Sequence, residues 1–186
     1  MTGSCQSLVP VRAALGFMVA ASLVAAPAAS CSLEALDLSG FSVDHRGSIP
    51  IALATRAAID AGHIAELPKD NSARYAALYV IRLRAVTHMR RLAARALSGG
   101  PELAVLLTQS GAWMRINDPR TGARYHASPA AETELTVLVP DTVYAALLDG
   151  ELTVQRATEL GLLRVYGTEN RDAAIHAFAD ALSISG

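Results

Sequence analysis

The clearest pattern in the chain lies between residues 73 and 97, where Leu78, Ile81, Ala85, Met89, Leu92 and Ala96 recur at steps of three and four. That spacing keeps them on one side of an α-helix, and it predicts a long amphipathic helix over 73–97. A second apolar set, Tyr75, Tyr79, Leu83, Val86 and Leu97, lies beside the stripe and widens it, so the helix is expected to be contacted on more than one side. Arg84, His88, Arg91 and Arg95 share the remaining face. That face is either the solvated side of the helix or a docking strip for an anionic headgroup or a protein partner. Asp70, Asn71 and Ser72 are good caps at its start, and Ser98, Gly99, Gly100 and Pro101 end it. Upstream, Pro50 opens a shorter helix with Ile51, Ala54, Ala58 and Ala61 on one face and Gly62 as its stop. Residues 31–49 show little periodicity and read as an extended arm.

After Pro101 the period changes to two. Residues 103–108 and 113–116 read as strands. The run Asn117, Asp118, Pro119, Arg120, Thr121, Gly122 is a turn that returns the chain through 123–126 as a hairpin. Leu135, Val137 and Val139 share one face of a further strand. Pro140 and Asp141 then open a helix through Leu148, closed by Gly150, and a second short helix runs over 153–160 before Gly161. A strand over 162–166 exits at Gly167, and Ile175, Phe178 and Leu182 mark a last amphipathic helix. This order predicts an α+β domain over 50–186: a mostly antiparallel sheet with covering helices, behind the long helix.

The stretch 134–167 resembles the end of the sterol carrier protein domain. In that family a strand leads into a helix, a Gly and a short second helix follow, and a further Gly, strand and Gly complete the pattern. Here those glycines are Gly150, Gly161 and Gly167, within 34 residues. The resemblance implies a sterol-carrier-like part over 103–186 and a hydrophobic tunnel that takes lipid or acyl chains without chemistry. Helices rich in small side chains can leave apolar volume above a sheet, which allows the same reading independently. Such a ligand would lie between the sheet and the helices at 142–148 and 175–182, against Val143, Ala146, Leu147, Ile175 and Phe178.

The start of the chain changes the picture of where this domain works. Arg12 is the only charge before an uncharged, largely apolar run over 13–26, and Pro27, Ala28, Ala29 and Ser30 follow. Residues 1–30 therefore read as a secretory signal, and the run of 14 residues is too short to span a bilayer as a helix. Cys5 falls inside that segment, which leaves Cys31 as an unpaired cysteine in an oxidising compartment. Ala28-Ala29-Ser30-Cys31 resembles a bacterial lipoprotein signal, in which the cysteine receives the lipid. Plain cleavage after the triplet Ala26-Pro27-Ala28 meets the small-residue rule equally. Either way the protein is expected in the periplasm or at the outer membrane.

Composition excludes a disordered chain, since apolar residues make up 52% and mean hydropathy is +0.30. Aromatics are only 5%, so the core is built from Ala, Leu, Val and Ile. Net charge is −1, which gives no general affinity for nucleic acid. The distribution is uneven: 71–101 carry six Arg and no acid, while 129–186 carry nine acids against three Arg. The expected use of that asymmetry is internal, with the Arg segment facing the acidic part of its own fold.

Recognised catalytic patterns are missing. Lys69 is the only lysine and lies in a loop, and no Gly-x-Ser-x-Gly occurs. Ser110 before Gly111 reads as a polar turn residue. His45, His63, His88, His126 and His176 are too far apart for a helical metal pair. Asp44-His45-Arg46-Gly47 and Tyr125-His126 are the most chemical-looking local groups, and a loop and an exposed hairpin edge explain them equally well. The leading expectation is an exported, non-catalytic module for a hydrophobic ligand, with no metal and no cofactor. An envelope scaffold docking a partner through Arg84, Arg91 and Arg95 is the rival, and a hydrolase without a recognised motif is the third reading.

Overall fold

The computed structural model describes residues 42, 44–95, 100–167 and 170–184. The expected signal over 1–30, Cys31, most of the expected arm, and Ala96 and Leu97 at the end of the expected long helix lie outside these residues. Two helices come first, α1 (Ser48–Asp60) and α2 (Asn71–Arg95). They are followed by β1 (Leu103–Leu107), β2 (Ala112–Asp118), β3 (Gly122–Tyr125), β4 (Thr136–Val139), α3 (Asp141–Leu148), α4 (Val154–Glu159), β5 (Arg164–Tyr166) and α5 (Arg171–Ser183). The α+β class and the element order agree with the sequence pattern.

The strands form one sheet in the order β3-β2-β1-β4-β5. Three neighbouring pairs are antiparallel and β1–β4 is parallel, because the chain leaves β3 at the sheet edge and re-enters beside β1. β1 is the central strand, and all five of its residues are buried. Its alternation divides the core. Leu103, Val105 and Leu107 join Met114, Ile116, Val137 and Val139 in a large cluster under α2, α3 and α5. Ala104 and Leu106 join Trp113 and Leu138 in a smaller cluster on the other face, capped by Ile51 of α1.

Local chemistry explains the ends of these elements. Asn170 caps α5 by accepting from the Asp172 and Ala173 N–H groups at 3.1 and 3.3 Å. Thr153 caps α4 through the Arg156 N–H at 3.1 Å. In the β2–β3 turn, Asp118 Oδ1 accepts from the N–H groups of Arg120 and Thr121 at 2.8 and 3.2 Å. The backbone bond from Arg120 is the largest cause holding that carboxyl below its usual pKa. Gly167 has φ +120°, and a Cβ there would lie 2.8 Å from the Glu134 carbonyl oxygen. Only glycine lets the exit of β5 pass that close to the entry of β4.

Two features of α2 differ from the sequence expectation. Tyr79 and Leu83, 67% and 55% exposed, are not contacted from a second side. The reason is topological, since α1 caps the opposite face of the sheet through Ile51 and so leaves this side of α2 open. His88, expected on the solvated face with the arginines, is buried between Ala85 and Leu92. It lies three residues after Ala85 and four before Leu92, so it occupies a core position on the helix despite being polar.

Candidate functional site

The open side of α2 forms a groove. Tyr75, Leu78, Tyr79, Leu83 and Val86 supply its carbon surface over three turns of helix, and Arg82 and Ser110 also line it. Its volume is about 520 Å³, within the range of small-molecule sites. Leu78 is anchored in the fold at 5% exposure, while Tyr79, Val80 and Leu83 stand out toward solvent. The accessible surface of the groove is almost wholly apolar.

Ser110 reaches the groove because of the β1–β2 connection. Leu107 pairs with Ala112, so Thr108, Gln109, Ser110 and Gly111 must reverse the chain in four residues. Gly111 takes φ +67° and its N–H donates to the Leu107 carbonyl at 2.9 Å. The turn is fixed by α3: Asp141 Oδ2 accepts from the Gln109 and Ser110 N–H groups at 2.9 and 3.0 Å. Gln109 Oε1 in return accepts from the Thr142 N–H at 2.9 Å, satisfying a donor at the helix start. Asp141 is fully buried, and burial is the leading cause that raises its pKa, opposed by these hydrogen bonds. Thr108 Oγ1, Ser110 Oγ and Asp141 Oδ1 are all buried in this cluster, and the Ser110 side chain is among the hydrogen-bond partners that oppose the rise in the Asp141 pKa.

Arg82 projects from α2 across the hairpin edge. Its Nη2 lies 3.0 Å from His126 Nε2, and its guanidinium stands 5.8 Å from the centre of the Tyr125 ring. Burial raises the Tyr125 hydroxyl pKa to about 12, so that group stays protonated. Tyr125 and His126 meet edge to face at 4.6 Å. The pair thus packs against Arg82, which borders the groove.

Beneath α2, His88 ties three helices together. Its Nδ1 is 2.6 Å from the Tyr144 hydroxyl in α3 and its Nε2 is 3.0 Å from the Ala181 carbonyl in α5. A carbonyl can only accept, so Nε2 carries the proton and Nδ1 accepts from Tyr144. Burial is the main cause lowering the His88 pKa, which keeps the ring neutral.

The residues named from sequence fall into different surroundings. Val143 and Phe178 are fully buried, Leu147 is 7% exposed, and Ala146 and Ile175 are half-buried at the margin. Tyr144 and Phe178 pack ring to ring at 6.4 Å between them. These two rings occupy part of the space between the sheet and these helices. Leu147 does border a cleft of about 390 Å³, shared with Leu148, Leu152 and Leu182 where α3 and α5 end. Among the arginines, Arg84 Nη1 donates to Asp149 Oδ2 at 2.9 Å and Nη2 to Oδ1, an ion pair between the basic segment and the acidic part of the chain. Arg91 borders a cleft of about 290 Å³ with Arg84, Thr87 and His88, and Arg95 is exposed at the helix end. The loop at 44–47 is held by packing: His45 Nδ1 accepts from the Gly47 N–H at 3.0 Å and its ring meets Tyr166 at 4.8 Å. Sequence reading passed over Asp141 as a helix opener and Ser110 as a turn residue. Neither carries a local signal of burial, which comes from the meeting of a turn with a helix start 31 residues away.

Among the described residues no group of His, Cys, Asp and Glu could hold a metal ion, and no helix is long and apolar enough to cross a membrane. No protein-family model matches the chain, and no curated protein matches it. Among solved structures, it is similar to sterol carrier protein 2 from Yarrowia lipolytica in the apo form. That match has 17% identity and a TM-score of 0.38, covering 58% of this chain and 88% of that one. Sterol carrier protein-2 from Aedes aegypti, solved in complex with the C16 fatty acid palmitate, is 17% identical with a TM-score of 0.40, over 53% of this chain and 96% of that one. The sec-alkylsulfatase Pisa1 from a Pseudomonas species is 15% identical with a TM-score of 0.37, over 52% of this chain and 14% of the sulfatase. The similarity to solved structures thus centres on sterol carrier protein 2 and spans a little over half of this chain.

Proposed function

We propose that the protein is a non-catalytic module that binds a hydrophobic ligand, and that the ligand lies in the groove along α2. The observation that carries this is the groove itself: Tyr75, Leu78, Tyr79, Leu83 and Val86 together on α2, with Tyr79 and Leu83 exposed, around about 520 Å³. The strand, helix and glycine pattern over 134–167, similar to sterol carrier domains, agrees with a carrier role. Apolar side chains left in water favour an apolar occupant, at roughly 0.8 kcal/mol for each methylene taken out of solvent. The run at 13–26 and the small residues before Cys31 support export, with either a lipid anchor at Cys31 or plain cleavage, and so a site of action in the periplasm or at the outer membrane.

The test is chain length. Affinity for saturated fatty acids from eight to sixteen carbons should rise by roughly tenfold for every two methylenes until the groove is full. Leu83→Asp, a change at an exposed position, should abolish binding without altering the melting temperature, while Ala146→Trp at the margin of α3 should leave binding intact. Binding lost on Ala146→Trp and kept on Leu83→Asp would move the ligand to the space between the sheet and α3. If no chain binds at any length, the carrier reading fails. The scaffold reading, with Arg84, Arg91 and Arg95 facing a partner, would then take its place.

A further inference from the structure

We propose that the groove along α2 is the seat of the chain's own arm, residues 32–41, with Leu33, Leu36, Leu38 and Phe41 as the side chains that occupy it. That segment lies outside the described residues, but the point where it joins them is fixed. Ser42 is buried, and its N–H donates to the Thr108 carbonyl at 2.6 Å. Thr108 stands two residues before Ser110 in the β1–β2 turn, and Ser110 lines the groove. The turn is itself tied to the start of α3 by Asp141, so the arm is tethered to a rigid point beside the groove.

Length, pattern and charge all suit this occupant. From Tyr75 to Val86 the groove follows α2 for about 16 Å, at about 1.5 Å per residue. Residues 33–41 reach up to roughly 30 Å at about 3.3 Å each, which covers that length from a tether at Ser42. Four large apolar side chains so close together differ from a linker made for water, in which small and polar residues dominate. Glu34 and Asp37 are the only charged residues between Arg12 and Asp44, whereas α2 carries six Arg and no acid. One of those arginines, Arg82, lines the groove. Opposite charge on two apolar surfaces favours their pairing over that with an uncharged segment. Little intrinsic affinity is needed, because a tethered segment meets its site at an effective concentration on the order of millimolar. The consequence for ligands rests on the groove being the ligand site: a hydrophobic molecule must displace the arm, so its apparent affinity falls by the fraction of the time the groove is free.

Leu36→p-benzoylphenylalanine in the full chain puts a photoreactive ring in the arm, and mass spectrometry locates the peptide it labels. Labelling should fall within 75–86 and be lost on Leu83→Asp. Labelling elsewhere in the fold, or none, would overturn the proposal. So would labelling found only between an isotopically heavy copy and a light one, which would make a second molecule the occupant. A second measurement needs no photoreactive group. Leu33→Ser, Leu36→Ser, Leu38→Ser and Phe41→Ser combined should raise palmitate affinity about threefold, the change expected when the arm holds the groove about two-thirds of the time. An unchanged affinity in that variant, where Leu83→Asp abolishes palmitate binding, would overturn the proposal and leave the groove as a ligand site. If palmitate binds neither protein while labelling at 75–86 persists, the ligand reading fails and the arm stands as the occupant of the groove.

Discussion

His88 shows how much one side chain can hold in this fold. It bonds α2 to both α3 and α5 through side-chain atoms, at 2.6 Å to Tyr144 and 3.0 Å to the Ala181 carbonyl. Replacing it with alanine leaves the Tyr144 hydroxyl buried and unpaired, at about 1–3 kcal/mol, whereas the Ala181 carbonyl keeps the Ile184 N–H. Its titration adds a pH dependence with a definite sign. The folded ring has a lowered pKa, so the unfolded chain takes up a proton first, at about pH 6.5. The stability present at neutral pH is lost as the pH falls from there toward the lowered folded value. His45 and His126 are also lowered, chiefly by burial, and contribute in the same direction. Melting temperatures at pH 7.5 and 5.5 should therefore differ more for the wild type than for His88→Gln. An equal drop in both would mean that His88 does not stay neutral in the fold.

At the scale of the element, α2 has two apolar sides with opposite fates. Met89 faces the sheet at 2% exposure, and Tyr79 faces solvent at 67%. The same substitution on each should separate them. Met89→Asp buries an unpaired charge and should cost about 3–5 kcal/mol, whereas Tyr79→Asp should stay within about 0.5 kcal/mol of wild type. Urea midpoints measure both. A large loss at Tyr79 would mean that the outer face is covered in the folded protein, contrary to the groove. The arginines on this helix show a related division, since Arg84 is spent on Asp149 while Arg90 and Arg95 face water.

For the molecule as a whole, sheet topology determines what is left open. The parallel β1–β4 pair places α3 and α5 on the same side as α2, and α1 caps the other side through Ile51. Three helices, α2, α3 and α5, therefore share one face of a five-stranded sheet, with Val143, Tyr144 and Phe178 buried beneath them. The remaining apolar surface lies outward, on α2. The proposal of export is a separate matter and rests on the sequence of the first 31 residues. If Cys31 carries a lipid, Cys31→Ser should shift the protein from the membrane fraction to the soluble one and remove an acyl mass from the mature N-terminus. Unchanged fractionation, with no such mass on the wild type, would leave plain cleavage as the route.

The order of elements was legible in the sequence, because periods of 3.6 and 2 and the punctuation by Gly150, Gly161 and Gly167 are local properties of the chain. So were the face of β4 that carries Leu135, Val137 and Val139 and the core stripe of α2 through Leu78, Ala85, Met89 and Leu92. What periodicity could not assign was which of the two apolar sides of α2 would be covered, since both have the same spacing and only the crossing of α1 distinguishes them. The burial of His88 was hidden for a similar reason, a polar residue at a core azimuth whose partners lie 56 and 93 positions away. Ser110 and Asp141 read as a turn and a helix start, which they are. Their meeting beside an apolar groove depends on β1 pairing with β4, a contact between distant segments that tertiary structure alone decides.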